Sequence, residues 1–219
     1  MEVRLDGNPD FGQADINLSR GEMIRCESGA MTWMEGDLEV AGRLGSGLLP
    51  ALARKLLGGE SLFLSEYTAA TDGRLTLAPS TPGTILSRNL KGETFHLTAG
   101  SFLAASKRVE FKTRFGGFRA LFSGEGAFFI ECSGQGLLLF NAYGAVIERD
   151  IDGEFTVDTG HVVAWESTLD YTIGTLGGVK ATLFSGEGLV MRFSGHGRIW
   201  LQTRHMGALA NWLTPYLSR

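Results

Sequence analysis

Glycine–glutamate pairs recur along this chain at a spacing that points to tandem structural units. One set of pairs begins at residues 21, 92 and 153, and a second set begins at residues 59, 124 and 186. Two members of the second set lie in an identical hexapeptide, LFSGEG, at 121–126 and 183–188. Self-similarity at a fixed period is the sequence signature of repeat architectures. The chain is therefore predicted to form a single domain of three units, at about 10–81, 82–142 and 143–205.

Each unit is predicted to be built of short β-strands, which makes the expected fold class all-β. The 31 glycines against 5 prolines indicate many tight turns between strands. Glycine-containing turns are predicted to join AFFIECSG to LLLFNAYG and LVMRFSG to RIWLQTR as β-hairpins. One unit alone would leave edge strands and apolar faces unpaired, so a pseudo-threefold arrangement is expected. A linear β-solenoid is disfavoured because its repeats are shorter, about 20–30 residues.

Two segments have helical rather than strand patterns. An insertion at 47–57 in the first unit places five leucines near one face, namely Leu48, Leu49, Leu52, Leu56 and Leu57. A second helix is predicted at 206–218, after the third unit, and it contains Trp212. These apolar side chains must be covered by the chain's own β body, by a neighbouring subunit or by a membrane surface. They are the candidate interaction residues.

Charge and cysteine content narrow the class of protein. The net charge is −4, and no basic block is long enough to follow a phosphate backbone, which argues against nucleic-acid binding. Two cysteines, Cys26 and Cys132, form neither a disulfide framework nor a metal knuckle and indicate a reducing compartment. The N-terminus has no secretory apolar region, and no run approaches about 18 apolar residues. A cytoplasmic location, with membrane association left open, is the expectation.

Motifs spread over nearly the whole chain resemble one known family. They are GEMIRCESGAMTWM (21–34), RKLLGGESLF (54–63), GSFLAA (100–105), FSGEGAFFIECSGQG (122–136), VDTGHVVAWE (157–166) and FSGEGLVMRFSGHGRIWLQTR (184–204). In this order they resemble the altered-inheritance-of-mitochondria protein 24 family. The resemblance implies three β units per chain, with a fold similar to that of the tryptophan RNA-binding attenuation protein.

The same resemblance implies no enzymatic reaction. Eukaryotic members of that family are tied to the organisation of the mitochondrial inner membrane. This chain has no Arg-rich, acid-poor transit segment, so it is interpreted as a prokaryotic form.

Three glutamates of the second set, Glu60, Glu125 and Glu187, are candidate functional residues. A threefold axis could bring them together, where three carboxylates would hold a cation or raise one another's pKa. The structural interpretation is that each carboxylate accepts backbone N–H groups across a glycine turn. It is favoured because the motif occurs in all three units. A phosphate loop is excluded because no Gly-Lys-Ser/Thr follows.

Other catalytic constellations are not found in the sequence. The four histidines, His96, His161, His196 and His205, do not occupy equivalent positions of the units. Ser123 and Ser185 precede the Gly-Glu-Gly motif but lack a Gly-x-Ser-x-Gly elbow. No catalytic residue, cofactor-binding residue or metal ligand is therefore predicted.

The expected function is that of a non-enzymatic scaffold or protein-interaction protein, homo-oligomeric, with a protein partner or a membrane surface as further binding options. The alternative is a small-molecule or metal-binding β-barrel protein with cupin-like activity. Nucleic-acid binding is the weaker alternative.

Overall fold

Residues 1–44, 63–115, 128–176 and 189–217 are described by the structure, a computed structural model. In these ranges the chain is mostly β-strand, with two short 3₁₀ turns and one helix at the C-terminus. This confirms the predicted all-β fold class. The predicted helix at 47–57 and the three glutamates Glu60, Glu125 and Glu187 lie outside the described residues. The threefold arrangement of the units stays a prediction.

The strands follow the order of the predicted units. The first unit and the residues before it contain β1 (Glu2–Asp6), β2 (Gln13–Leu18), β3 (Met23–Glu27), β4 (Met31–Glu35), β5 (Leu38–Leu44), β6 (Phe63–Ala69) and β7 (Gly73–Leu77). The second contains β8 (Gly83–Lys91), β9 (Phe95–Thr98), β10 (Phe102–Ser106), β11 (Val109–Phe115) and β12 (Phe128–Tyr143). The third contains β13 (Val146–Asp158), β14 (Val162–Glu166), β15 (Leu169–Thr175) and β16 (Leu189–Gln202), followed by helix α1 (Met206–Leu217).

The two predicted hairpins are wrong, because each is one long strand. β12 runs for 16 residues and β16 for 14 residues through the glycines that were expected to turn. Gly134 and Gly195 adopt φ of +94° and +113°, which bends a strand at a bulge without reversing it. At Gly134 the neighbour of β12 changes, from Val109 of β11 to the end of β8. The bend at this glycine therefore allows β12 to pair with β11 along its first half and with β8 along its second half.

The described strands form two sheets, and the larger one joins the three predicted units. A four-stranded sheet has the order β1-β2-β7-β4, and a twelve-stranded sheet contains the other described strands. The larger sheet is continuous because strands of successive predicted units pair with each other. β10 of the second unit pairs with β3 of the first, and β14 of the third unit pairs with β9 of the second. We call these two strand pairs the inner junctions.

The same shift in strand register occurs in β10, β14 and β4. The register of β10 against β12 shifts between Phe102 and Ala104, and that of β14 against β16 shifts between Val162 and Ala164. The register of β4 against β7 shifts between Met31 and Trp33. A bulge at the same place bends each strand in the same way. This correspondence places Trp33, Ala104 and Ala164 at matching positions.

The core consists of three clusters: the first joins the four-stranded sheet to the larger sheet, the other two lie within the larger sheet, and the first two include residues of the inner junctions. Its middle cluster combines buried residues of the second and third units, including Phe95, Phe140 and Trp200. Phe95 packs edge-on against Trp200 with ring centroids 5.1 Å apart. Such aromatic pairs add about 0.5–1.5 kcal/mol beyond the area that they bury. The inner junctions therefore belong to the hydrophobic core and are not surface contacts.

Candidate functional site

The predicted interaction residue Trp212 lies on helix α1, which confirms a C-terminal helix. The helix runs from Met206 to Leu217 with Pro215 in its last turn, and none of its residues is buried. The Trp212 side chain is 64% exposed, and its ring lies 5.6 Å from that of Tyr216. The helix therefore presents an aromatic pair to its surroundings.

The cysteines and histidines do not form a reactive centre. Cys26 and Cys132 are free and buried, and burial raises the pKa of Cys132 to about 12. A thiol with so high a pKa is a poor nucleophile and metal ligand. Within the described ranges, no group of three or more His, Cys, Asp or Glu side chains is placed to hold a metal ion.

Strand β4 is the first candidate interaction surface. It pairs with β7 and ends the four-stranded sheet, and all five of its residues are exposed. Three of them are large and apolar: Met31, Trp33 and Met34 are each about 40% exposed. An edge strand offers a row of N–H and C=O groups to another strand, and apolar side chains strengthen such pairing. The sequence predicted short strands in this unit but did not identify this one as an exposed surface, although it lies inside the motif GEMIRCESGAMTWM.

The second half of β13 is a further edge that no other described strand covers. Among the described strands, β13 pairs with β16 only. Phe155 and Val157 are half-buried against the third core cluster, and Thr156 is exposed. The guanidinium of Arg149 lies over the Phe155 ring at 5.5 Å. The edge therefore carries apolar side chains beside a positive charge.

A polar cavity of about 460 Å³ is the second candidate site. Residues from all three predicted units line it, among them Thr98, Ser101, Asn141, Thr159, Gln202 and His205. Gln202 is fully engaged, because its Oε1 accepts from the Tyr143 N–H and its Nε2 donates to the Gly160 carbonyl, each at 2.8 Å. Asn141 is only 5% exposed, and its Oδ1 has no hydrogen-bond partner among the described residues.

A buried amide oxygen without a partner is costly, since its desolvation is not repaid. Asn141 and Gln202 hold the same place in the sequence pattern of their units, five residues after the last glycine of Ser-Gly-x-Gly. The shorter Asn141 side chain keeps its Oδ1 buried beside the cavity without a hydrogen-bond partner among the described residues, whereas Gln202 bonds to the neighbouring backbone. The wall of the cavity therefore contains a buried acceptor that lacks a donor among the described residues.

His96, at the inner junction of β14 and β9, is a partly buried titratable side chain. His96 stacks on Trp165 with ring centroids 5.1 Å apart and an interplanar angle of 10°. Burial lowers the pKa of His96, against the opposing effect of the Glu131 carboxylate. Its Nδ1 is buried and has no hydrogen-bond partner in the described part of the chain, so a proton added there would have no acceptor among these residues. His96 therefore packs as a neutral aromatic ring.

Comparisons with known proteins identify the family. A family model described as mitochondrial biogenesis AIM24 matches residues 3–204. The chain belongs to this family. An uncharacterized protein of Streptococcus pyogenes serotype M6 is 33% identical to this AIM24 chain over 226 residues, which cover 99% of this chain and 91% of that protein. The crystal structure of a Streptococcus pyogenes protein superposes with a TM-score of 0.83, at 31% identity and 99% coverage of both chains.

The comparisons confirm the AIM24 assignment that the sequence motifs indicated, and both relatives are prokaryotic. Their descriptions name no reaction, ligand or partner. The likeness to the tryptophan RNA-binding attenuation protein stays a prediction. Among the described helices, none is long and apolar enough to cross a membrane.

Proposed function

We propose that this AIM24 protein is a non-catalytic scaffold that associates with further copies of itself through strand β4. The observation that supports it is the exposure of Met31, Trp33 and Met34 on a strand that ends its sheet. Matching residues of β10 and β14, including Ala104, Ala164 and Trp165, are fully buried by a neighbouring strand. The β4 edge thus has the same bulge as the strands of the inner junctions, but no other described strand covers it.

Light scattering tests the proposal with two tryptophan substitutions. The wild-type chain is expected to have a mass well above the 23.6 kDa of one copy. Trp33→Glu puts an unpaired charge on the edge and is expected to reduce the mass to that of one copy. Trp212→Glu is the matched control, because it makes the same change at a more exposed tryptophan on α1.

Two results would contradict the proposal. A wild-type mass of one copy at the highest soluble concentration removes self-association altogether. A loss of association in Trp212→Glu but not in Trp33→Glu moves the surface to helix α1. Circular dichroism on the same samples shows whether each variant is folded.

The polar cavity supports a second candidate function, binding of a small molecule. The unpartnered Oδ1 of Asn141 requires a hydrogen-bond donor, which hydroxyl and ammonium groups supply. Glycerol and ethanolamine are suitable probes, with binding followed by protein-observed NMR. Asn141→Leu is expected to abolish the shifts, and Asn89→Leu, at an exposed asparagine on β8, is expected to leave them unchanged. Equal shifts in both variants would contradict the cavity as a site.

Membrane association remains a proposal that rests on helix α1 alone among the described residues. Its exposed Trp212, Tyr216 and Leu217 suit a bilayer interface. The helix, MGALANWLTPYL, contains no charged residue, so electrostatic attraction to anionic lipid adds little. Co-sedimentation with phosphatidylserine vesicles tests it, and a wild-type chain that stays in the supernatant contradicts it.

A further inference from the structure

We infer that strand β4 of one copy pairs with residues 155–158 of β13 in the next copy, in the register of the inner junctions. This inference rests on the proposed self-association and names its partner surface. It predicts that Trp33 lies opposite Val157, Met34 opposite Thr156, and Glu35 opposite Phe155. The two strands are different surfaces of the chain and end different sheets, so the contact is head-to-tail.

The register follows first from the inner junction of β14 with β9. Ala164, the residue after the bulge, lies opposite Leu97, Trp165 lies opposite His96, and Glu166 lies opposite Phe95. The bulge of β4 gives Trp33 the position of Ala164. In the outer contact, Trp33 must therefore face the residue of β13 that corresponds to Leu97.

The counterpart of Leu97 is found from the pairing of the long strands. Leu97 lies opposite Ile130 of β12, four residues before the bulge glycine Gly134. Val157 lies opposite Met191 of β16, also four residues before a bulge glycine, Gly195. Val157 therefore corresponds to Leu97. In the same way, Phe155 corresponds to Phe95.

Burial supports the correspondence at both edges. Phe95 and Leu97 are fully buried at the inner junction, whereas Phe155 and Val157 are only half-buried. On the facing strand, Ala164 and Trp165 are fully buried, whereas Trp33 and Met34 keep about 40% of their surface exposed. A second copy docked in this register would cover the exposed part of both edges, and this is the main favourable term.

Charge supports the same register independently of burial. At the inner junction, Arg88 lies over the Phe95 ring at 4.5 Å and donates to the Glu166 carboxylate at 3.3 Å. Arg149 lies over the Phe155 ring in the same manner, at 5.5 Å. Glu35 has the position of Glu166 on the facing strand, two residues beyond Trp33. The outer contact thus brings a Glu35 carboxylate to an Arg149 guanidinium.

The contact does not form within one chain. Among the described strands, β4 pairs with β7 and β13 pairs with β16, and the two belong to different sheets. Each copy therefore has one edge of each kind to offer to two neighbours. A contact between different surfaces repeats into a ring or a filament.

Cysteine cross-linking of the full chain tests partner and register together. Facing residues in an antiparallel pair have Cα atoms about 4.5–5.5 Å apart, which suits a disulfide. The pairs Trp33→Cys with Val157→Cys and Met34→Cys with Thr156→Cys are expected to give a ladder of cross-linked copies under mild oxidation. Met34→Cys with Val157→Cys is the control, since a one-residue slip puts the two thiols on opposite faces. The native Cys26 and Cys132 are buried and contribute no background.

Mixing separates head-to-tail pairing from a symmetric contact. Trp33→Cys alone and Val157→Cys alone are expected to give no cross-link, and an equal mixture of the two is expected to give dimers only. A dimer of Trp33→Cys alone would mean that β4 pairs with β4 and would overturn the inference. A disulfide that forms inside single chains, without a ladder, would also overturn it.

The experiment distinguishes this inference from the proposed function on which it rests. If light scattering shows association that depends on Trp33 but the in-register pairs cross-link no better than the control, the partner surface is wrong and the scaffold proposal stands. If the wild type remains a single copy, both are wrong.

Discussion

The inner junction of β14 with β9 and the outer edge of β4 use the same strand geometry in opposite surroundings. Both have a bulge at the same place, and both have a glutamate two residues beyond the residue that follows the bulge. At the inner junction the facing side chains are alanine, leucine, tryptophan and histidine packed at the core, whereas at the outer edge Trp33 and Met34 are exposed. The difference shows that the same strand geometry gives a buried junction where another strand covers it and an exposed apolar edge where no described strand does.

The largest contrast is expected from a buried charge at matching positions. Ala164→Glu places a carboxylate without a partner in the inner junction and is expected to lower the free energy of unfolding by more than about 4 kcal/mol. Trp33→Glu is expected to lower it by less than about 1 kcal/mol, because the side chain reaches solvent. Urea unfolding of dilute protein measures both. Equal losses in the two variants would contradict the difference in burial between the inner junction and the outer edge.

A second contrast concerns what holds the four-stranded sheet beside β4. Asp15 is 5% exposed, and its carboxylate accepts from Thr76, from Arg74 at 2.5 Å and from Arg4 at 3.0 Å. The Thr76 hydrogen bond, followed by those of the two arginines, lowers the pKa of Asp15. Asp15→Asn is expected to lower the free energy of unfolding by about 2 kcal/mol.

The pH dependence of this network has a definite sign. Because the folded-state pKa of Asp15 is below 3.8, its contribution is complete above about pH 4 and is lost as the pH falls through the folded-state value. On acidification from pH 7, the wild type should therefore lose more stability than Asp15→Asn, because only the wild type has the titrating carboxylate. Acid unfolding followed by circular dichroism measures both losses. Asp150→Asn, at an exposed carboxylate, is the control and should behave like the wild type.

A third, smaller contrast between the inner junction and the outer edge concerns how stability depends on pH. His96 faces Trp165 at the inner junction, and its matching position on β13 is the non-titrating Thr156. Since the folded-state pKa of His96 lies below 6.5, unfolding takes up a proton, and stability decreases as the pH falls below about 6.5. The thermal midpoint is expected to fall by about 1–2 °C between pH 7 and pH 5.5 on this account. His96→Gln should remove that part of the fall, and an unchanged profile would contradict it.

The smallest effect is expected at the paired glutamates. Glu166→Gln keeps the hydrogen bond from the Arg198 N–H and loses only a part-exposed ion pair with Arg88, so little change in the free energy of unfolding is expected.

Glu35→Gln should leave the free energy of unfolding unchanged and weaken self-association by only a few-fold, with less effect at high salt. Sedimentation velocity at two salt concentrations measures the second effect. A larger loss for Glu166→Gln in self-association than for Glu35→Gln would reverse the proposed roles.

Sequence periodicity predicted the strand-rich fold and the C-terminal helix, because both depend on local patterns. The motif around Cys26 and the one around Cys132 both became strands with buried thiols. The hairpins were wrong because a Gly-containing tetrapeptide suits a tight turn and a bulge equally well. Only the strands on either side of Gly134 and Gly195 decide between the two, and these come from distant parts of the sequence.

The candidate sites were harder to predict than the fold. Trp33 and Met34 are apolar, like the matching residues of the other units, which are buried. The sequence does not show that β4 ends its sheet, and this position is what exposes the two side chains. Asn141 and Gln202 were visible as a recurring polar position, but their different hydrogen bonding depends on one methylene group in a shared cavity. The three repeated glutamates remain predictions outside the described residues.

The two dissimilar edges give any assembly of this chain a direction. A copy that keeps the β13 edge but carries a damaged β4 could still join one end of a growing assembly and then stop it there. A small fraction of Trp33→Glu chains should therefore shorten assemblies of wild-type chains out of proportion to its amount. In a cell that makes both forms, the altered copy would act as a dominant terminator, although it folds normally.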